Sequence, residues 1–69
     1  MFTSIQLQPS DTIGDAFGQM ELHGVHQLPV VDGKRRILGM ITEVDLRRFV
    51  ARHGRVVMFG VTVGSLLGS

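Results

Sequence analysis

Apolar and polar positions alternate from Ile5 to Gln8, with Ile5 and Leu7 on one side, and Pro9 closes the run. Period two over so few residues predicts a short strand, stopped by a residue that cannot donate to a ladder. Phe2 stands ahead of it, out of step with the alternation. The period then changes: Ile13, Ala16, Phe17 and Met20 recur at i, i+3, i+4 and i+7, the stripe of an amphipathic helix. Thr12-x-x-Asp15 ahead of the stripe has the shape of a capping box, with Asp in place of the usual Glu. Gly24 is a natural stop just past it. Gly14 and Gly18 weaken such a helix by up to ~1 kcal/mol each relative to Ala. They are expected where another backbone comes close. Leu22 falls off the stripe, so it is expected at solvent or against a second chain.

The next apolar run is Leu28-Pro29-Val30-Val31, then Asp32-Gly33 as a turn signal and Arg36 to Ile41 as a second run. Residues 28–41 thus predict an antiparallel hairpin. Pro29 predicts either an edge strand or a strand whose missing donor faces a site, and Gly39 a bulge or the close approach of another group. Thr42-x-x-Asp45 repeats the box shape, with Ile41 and Leu46 placed to form a hydrophobic staple across it. Leu46, Phe49, Val50 and His53 make the second helical stripe, and Gly54 ends it. Val44 lies off that stripe and is a second candidate for a contact between chains. Arg55 to Val61 suits a strand, and Thr62-Val63-Gly64 then repeats Thr12-Ile13-Gly14, as if the tail began another copy of the same unit. Strand, helix, strand, strand, helix is an α+β order whose natural packing puts the helices on one face of a small sheet.

Composition sharpens this. With 69 residues there is room for one domain, and a core of that size rarely supplies more than ~3–5 kcal/mol. There is no cysteine for a disulfide or a structural zinc site, so association is the staple that remains. Residues 1–32 carry carboxylates and no Lys or Arg, whereas residues 33–69 hold all of the basic side chains against Glu43 and Asp45. That asymmetry suits an anionic partner, head-to-tail attraction between copies, or simply two solvated faces. Arg47, Arg48, Arg52 and Arg55 read as solvated surface or as residues facing a phosphate. Nucleic acid is not expected, since the chain has no Tyr or Trp for stacking. His23-x-x-His26 straddles a glycine with no acidic third ligand nearby, so no metal site is expected, and His53 is expected to pack, partly buried. No nucleophile-base pattern or phosphate-loop motif is present, so neither an enzyme nor a resident cofactor is expected. No apolar run suggests a membrane span, nothing suggests a signal peptide, and a cytoplasmic setting is expected.

Three segments taken together resemble a known family. These are Pro9-x-Asp11-Thr12-Ile13-x-Asp15-Ala16 with Met20, Gly24-Val25-x-x-Leu28-Pro29-Val30-Val31-Asp32, and Gly39-Met40-Ile41-Thr42-x-x-Asp45-Leu46. In that order and spacing, over roughly residues 5–54, they resemble a CBS domain, a module named for cystathionine β-synthase. The resemblance implies a β-α-β-β-α unit that pairs, as a homodimer or with a second CBS unit. It implies an adenosine-containing ligand, AMP, ATP or S-adenosylmethionine, held in the cleft between the paired units to regulate an attached enzyme, channel or transporter. It further implies that Gly39, Thr42 and Asp45 read the nucleotide while Thr12, Ile13, Leu28, Pro29 and Val30 flank the adenine. The chemistry suits those roles. A glycine permits close approach, a threonine at a helix N-terminus can donate beside free N–H groups, and a carboxylate one turn on can accept from ribose hydroxyls. Thr42 and Asp45 are equally accounted for as a capping box with no ligand, which leaves a ligand-free pairing module as the rival. On either view Leu22 and Val44 are the expected contacts between chains.

Overall fold

The computed structural model describes residues 5–67, so Phe2 lies outside the described residues. The elements are α1 (Ile13–His23), β1 (Gln27–Val31), β2 (Ile37–Thr42), α2 (Glu43–His53), a 3-10 turn (Arg55–Met58) and α3 (Val63–Leu67).

Both capping boxes form. The Thr12 hydroxyl accepts from Asp15 N–H at 3.1 Å and the Asp15 carboxylate accepts from Thr12 N–H at 3.0 Å. Thr42 and Asp45 repeat the pattern at 3.1 and 3.3 Å. Gly24 ends α1 in the left-handed region (φ 64°), which glycine enters without steric cost.

β1 and β2 pair antiparallel, Leu28 opposite Ile41 and Val30 opposite Gly39; then Val31 faces Ile37, which leaves Leu38 as the extra residue of a bulge. The bulge expected at Gly39 is therefore one residue away. The turn between the strands is organised by Asp32, whose carboxylate accepts from the N–H groups of Lys34 (2.8 Å) and Arg36 (2.9 Å) and from Arg36 Nε (3.0 Å). Its left-handed residue is Arg35 (φ 63°) rather than Gly33.

The strand expected over residues 5–8 reduces to one parallel bridge. Leu7 N–H donates to the Pro29 carbonyl and Val31 N–H to the Leu7 carbonyl, both at 2.8 Å. Proline is the reason. The next bond of a parallel ladder would run from the nitrogen of residue 29 toward Ile5, and Pro29 has no hydrogen to give. Pro29 is thus on an edge strand of the two-stranded sheet, as expected, on the side where Leu7 adds its single bridge, and its missing donor ends that bridge. Leu7 is nonetheless fully buried and joins Ile13, Ala16, Met20, Leu28, Val30, Ile41, Leu46 and Val63 in one core. Leu28, Val30 and Ile41 point from one face of the hairpin into that core, as period two requires.

The tail departs from the expected strand. Arg55–Met58 is a 3-10 turn entered through Gly54 (φ 86°). Val57, Met58 and Val61 are partly buried while Val56 and Phe59 are exposed, a helical spacing rather than an alternation. Beyond it the repeated segment folds back on its first copy. Thr12 and Thr62 form an antiparallel bridge in which Ile13 N–H donates to Val61 C=O (3.0 Å) and Val63 N–H to Asp11 C=O (2.8 Å). The two glycines occupy matching places: a Cβ on Gly14 would stand 3.0 Å from the Met58 carbonyl oxygen, and one on Gly64 only 2.8 Å from that of Pro9. Thus Gly14 sits at a close backbone approach, as expected. Gly18 does not, because nothing lies within 4 Å of its would-be Cβ.

Candidate functional site

The corner between β2 and α2 is the place where charged side chains, a helix start and an open groove meet. α2 carries Asp45, Arg48, Phe49, Arg52 and His53 at i, i+3, i+4, i+7 and i+8, so they share one helical stripe. Opposite them stand Met40 and Ile41 from β2 and Leu66 and Leu67 from α3, and together these residues line a groove of about 360 Å³. That is the low end of the range for small-molecule sites, ~300–1,000 Å³. The Phe49 and His53 rings lie against each other, tilted by 39° with centroids 4.5 Å apart. His53 is exposed rather than partly buried, at the last position of α2.

Of the residues expected to bind ligand, Asp45 alone lines this groove. Thr42, one turn away, caps α2 and lines a second depression of about 530 Å³ with His26, Gln27, Glu43, Val44 and Arg47. Gly39 adjoins the groove indirectly: Leu67 Cδ2 lies 2.8 Å from where its Cβ would be, so the expected close approach is made by α3. Ile13, Leu28 and Val30 have their side chains in the core. Pro29 points to the other face of the hairpin, beside Val31 and Ile37. Thr12 is engaged in its own cap and in the bridge to Thr62. Leu22 and Val44 are exposed, 75% and 59%, and so are Ile37 (68%) and Met40 on β2.

Sequence reasoning did not assemble two features. One is the groove wall of Leu66 and Leu67, which depends on where the tail folds. The other is a clasp at the start of α2: His26 Nδ1 lies 2.8 Å from Glu43 Oε2, Arg47 pairs with the same carboxylate, and Glu43 N–H donates to His26 C=O. The hydrogen bond from His26, helped by the charges of Arg47 and His26, holds Glu43 below the ordinary carboxylate range. Asp32 is lowered too, chiefly by the Arg36 N–H. The i, i+4 spacing of Glu43 and Arg47 was the one signal for the clasp in the sequence. Among the described residues no group of three or more His, Asp or Glu is placed to hold a metal, and no helix is long and apolar enough to cross a membrane.

A hairpin with two capped helices packed against it, and a groove where the second helix leaves the hairpin, defines a small α+β unit. The CBS domain family matches residues 2–52, and the chain belongs to that family. It is 40% identical over 43 residues to inosine-5'-monophosphate dehydrogenase from Methanocaldococcus jannaschii, a match covering 62% of this chain and 9% of that enzyme. Its fold superposes on a CBS-domain containing protein from Agrobacterium tumefaciens with a TM-score of 0.83 at 28% identity, covering 91% of this chain and 46% of the other. It also matches CBSX2, solved in complex with AMP, with a TM-score of 0.66 at 23% identity over 88% of this chain and 47% of that one. The second likeness shows the fold alone. The chain spans about half the length of these solved chains.

Proposed function

We propose that the protein is a regulatory ligand-sensing module that binds an adenosine-containing nucleotide in a cleft completed by a second unit, and that it has no catalytic role of its own. The observation that carries this reading is the groove beside Asp45. It joins a carboxylate, a tilted pair of rings and an apolar wall in one concavity, on a unit whose β2 leaves Ile37 and Met40 uncovered. Asp45 Oδ2 serves the cap, and Oδ1 has no partner among the described residues, so one oxygen remains to accept from a ribose. The AMP complex of CBSX2, a fold relative, supports the ligand class.

Calorimetric titration with AMP, ATP and S-adenosylmethionine tests it. Heat and a thermal shift at or below millimolar ligand are expected; silence to all three refutes sensing. The exposed Leu22 and Val44 favour a second reading, a pairing module without ligand. That reading predicts a dimer by light scattering, dissociated by Leu22→Glu or Val44→Glu and indifferent to nucleotide.

A further inference from the structure

α3 is fastened at its first turn and only lightly held at its far end. Val63 is fully buried, its N–H donates to the Asp11 carbonyl at 2.8 Å, and Gly64 N–H donates to the Pro9 carbonyl at 3.0 Å. Past this seam, Leu66 and Leu67 make no hydrogen bond to another element among the described residues. Both are partly buried against the core and line the groove. Leu67 rests in the notch left by Gly39, its Cδ2 and Cδ1 lying 2.8 and 3.3 Å from where a Cβ would stand. It follows Val63 by four residues, about 6 Å along a helix axis, so a single turn joins the seam to the groove wall. The other walls are tied more firmly. α2 is held by its capping box and the buried Leu46, and β2 by its pairing with β1. α3 is therefore the wall that yields.

The geometry points to α3 as a strap that couples the groove to the seam between residues 9–13 and 61–64. This rests on the nucleotide reading above for what fills the groove, and adds what filling it does. Segments of this kind open locally, without the rest of the domain, when few contacts hold them. An occupant lying against Leu66 and Leu67 gives the far end of α3 contacts that it lacks when the groove is empty, so the seam opens less often. Linkage fixes the converse: a strap held down at its seam favours the occupied groove by the same free energy. The segment that repeats the opening of the first helix is thereby the moving part of the site.

The test is amide hydrogen exchange on the full chain, with and without AMP or ATP, in the parent and in Leu67→Ala. The seam is read at the Val63 and Gly64 amides, and global opening at those of Leu28 and Ile41, which face each other across the hairpin. Without ligand, Leu67→Ala should speed exchange at the seam ~10-fold, the scale of a half-buried leucine, and leave the hairpin amides nearly unchanged. Equal acceleration at all four amides, or none at the seam, overturns the strap with no ligand involved. If Leu67→Ala does not fold, Leu67→Val takes its place with the same pattern at smaller amplitude. With nucleotide, the seam amides of the parent should slow more than the hairpin amides, and the difference should shrink in the variant. A nucleotide that gives calorimetric heat yet slows the seam no more than the hairpin overturns the strap and leaves the nucleotide reading standing. No heat from either nucleotide, with the seam still loosened by Leu67→Ala, overturns the nucleotide reading and upholds the coupling of groove wall to seam.

Discussion

Replacing Gly64 by Ala probes the contact that closes the chain on itself. The added methyl would meet the Pro9 carbonyl oxygen at 2.8 Å, Pro9 Cβ at 3.1 Å and its carbonyl carbon at 3.3 Å. These atoms cannot swing aside as a long side chain would, because Pro9 is ring-locked and its carbonyl accepts from Gly64 N–H at 3.0 Å. α3 must therefore lift, stretching that bond and the neighbouring one from Val63 N–H to Asp11 C=O. Overpacking of this kind costs ~1–3 kcal/mol. Part is offset by the ~0.4–1 kcal/mol that alanine contributes by restricting the unfolded chain, since Gly64 is not in the left-handed region. A net loss of about 1–2 kcal/mol lowers the melting temperature of a domain this size by about 5–15 °C. Thermal and urea unfolding followed by circular dichroism measure it. Gly18→Ala is the matched control: it lies in α1 with open space around it, so the same substitution should stabilise by ~1 kcal/mol. If Gly64→Ala is as stable as the parent, the tail does not seat against Pro9 and the account of the fold's closure is wrong.

Two further outcomes follow from the hairpin and the clasp. Asp32 and Glu43 are both held below the ordinary carboxylate range of about 4. They bind protons more readily in the unfolded chain, so the stability they contribute is complete above that range and is lost as pH falls through their folded values. Melting temperature should therefore drop below about pH 4, and Asp32→Asn should flatten that decline; an unchanged acid slope would clear Asp32 of the role. Arg35→Gly should stabilise the hairpin by ~1 kcal/mol, because it removes a side chain from the left-handed region. A lower urea midpoint for this variant would contradict the turn as described.

The parts of the fold that could be read from the sequence are those decided within a few residues. Thr12 with Asp15 and Thr42 with Asp45 are three apart, so spacing alone announced both caps, and the stripes on α1 and α2 followed from periodicity. The first strand was misread because its length is set by a residue on another element: Pro29 withholds a donor that nothing near Ile5 reveals. The turn after Gly54 was misread because Val56 and Phe59 are apolar yet exposed, and an apolar run taken as buried looks like a strand. The site divides in the same way. Asp45 was found by local motif. That Arg48 and Arg52 share a groove with Leu66 and Leu67 was not legible, because it depends on where the tail folds. Ile13, Leu28 and Val30, expected from the resemblance to flank an adenine, have their side chains in the core, since apolar residues of this kind are what a small core is made from.

The tail repeat was visible in Thr62-Val63-Gly64, but its consequence was not: the segment pairs with its own first copy. That pairing makes α3 serve two purposes. Val63 is fully buried and completes the core, while four residues on Leu67 lies over Gly39 and walls the groove. A displacement of α3 is thus felt at both places, because five residues forming little more than one helical turn move as a unit. Gly39 fits this arrangement, since Leu67 Cδ2 occupies the space beside it. A side chain there would push Leu67 into the groove, so the missing Cβ keeps the space in front of Asp45 open by giving the wall somewhere to rest. The short sequence that closes the fold and the wall that shapes the site are one structural element, and the open Gly39 is what lets it be both.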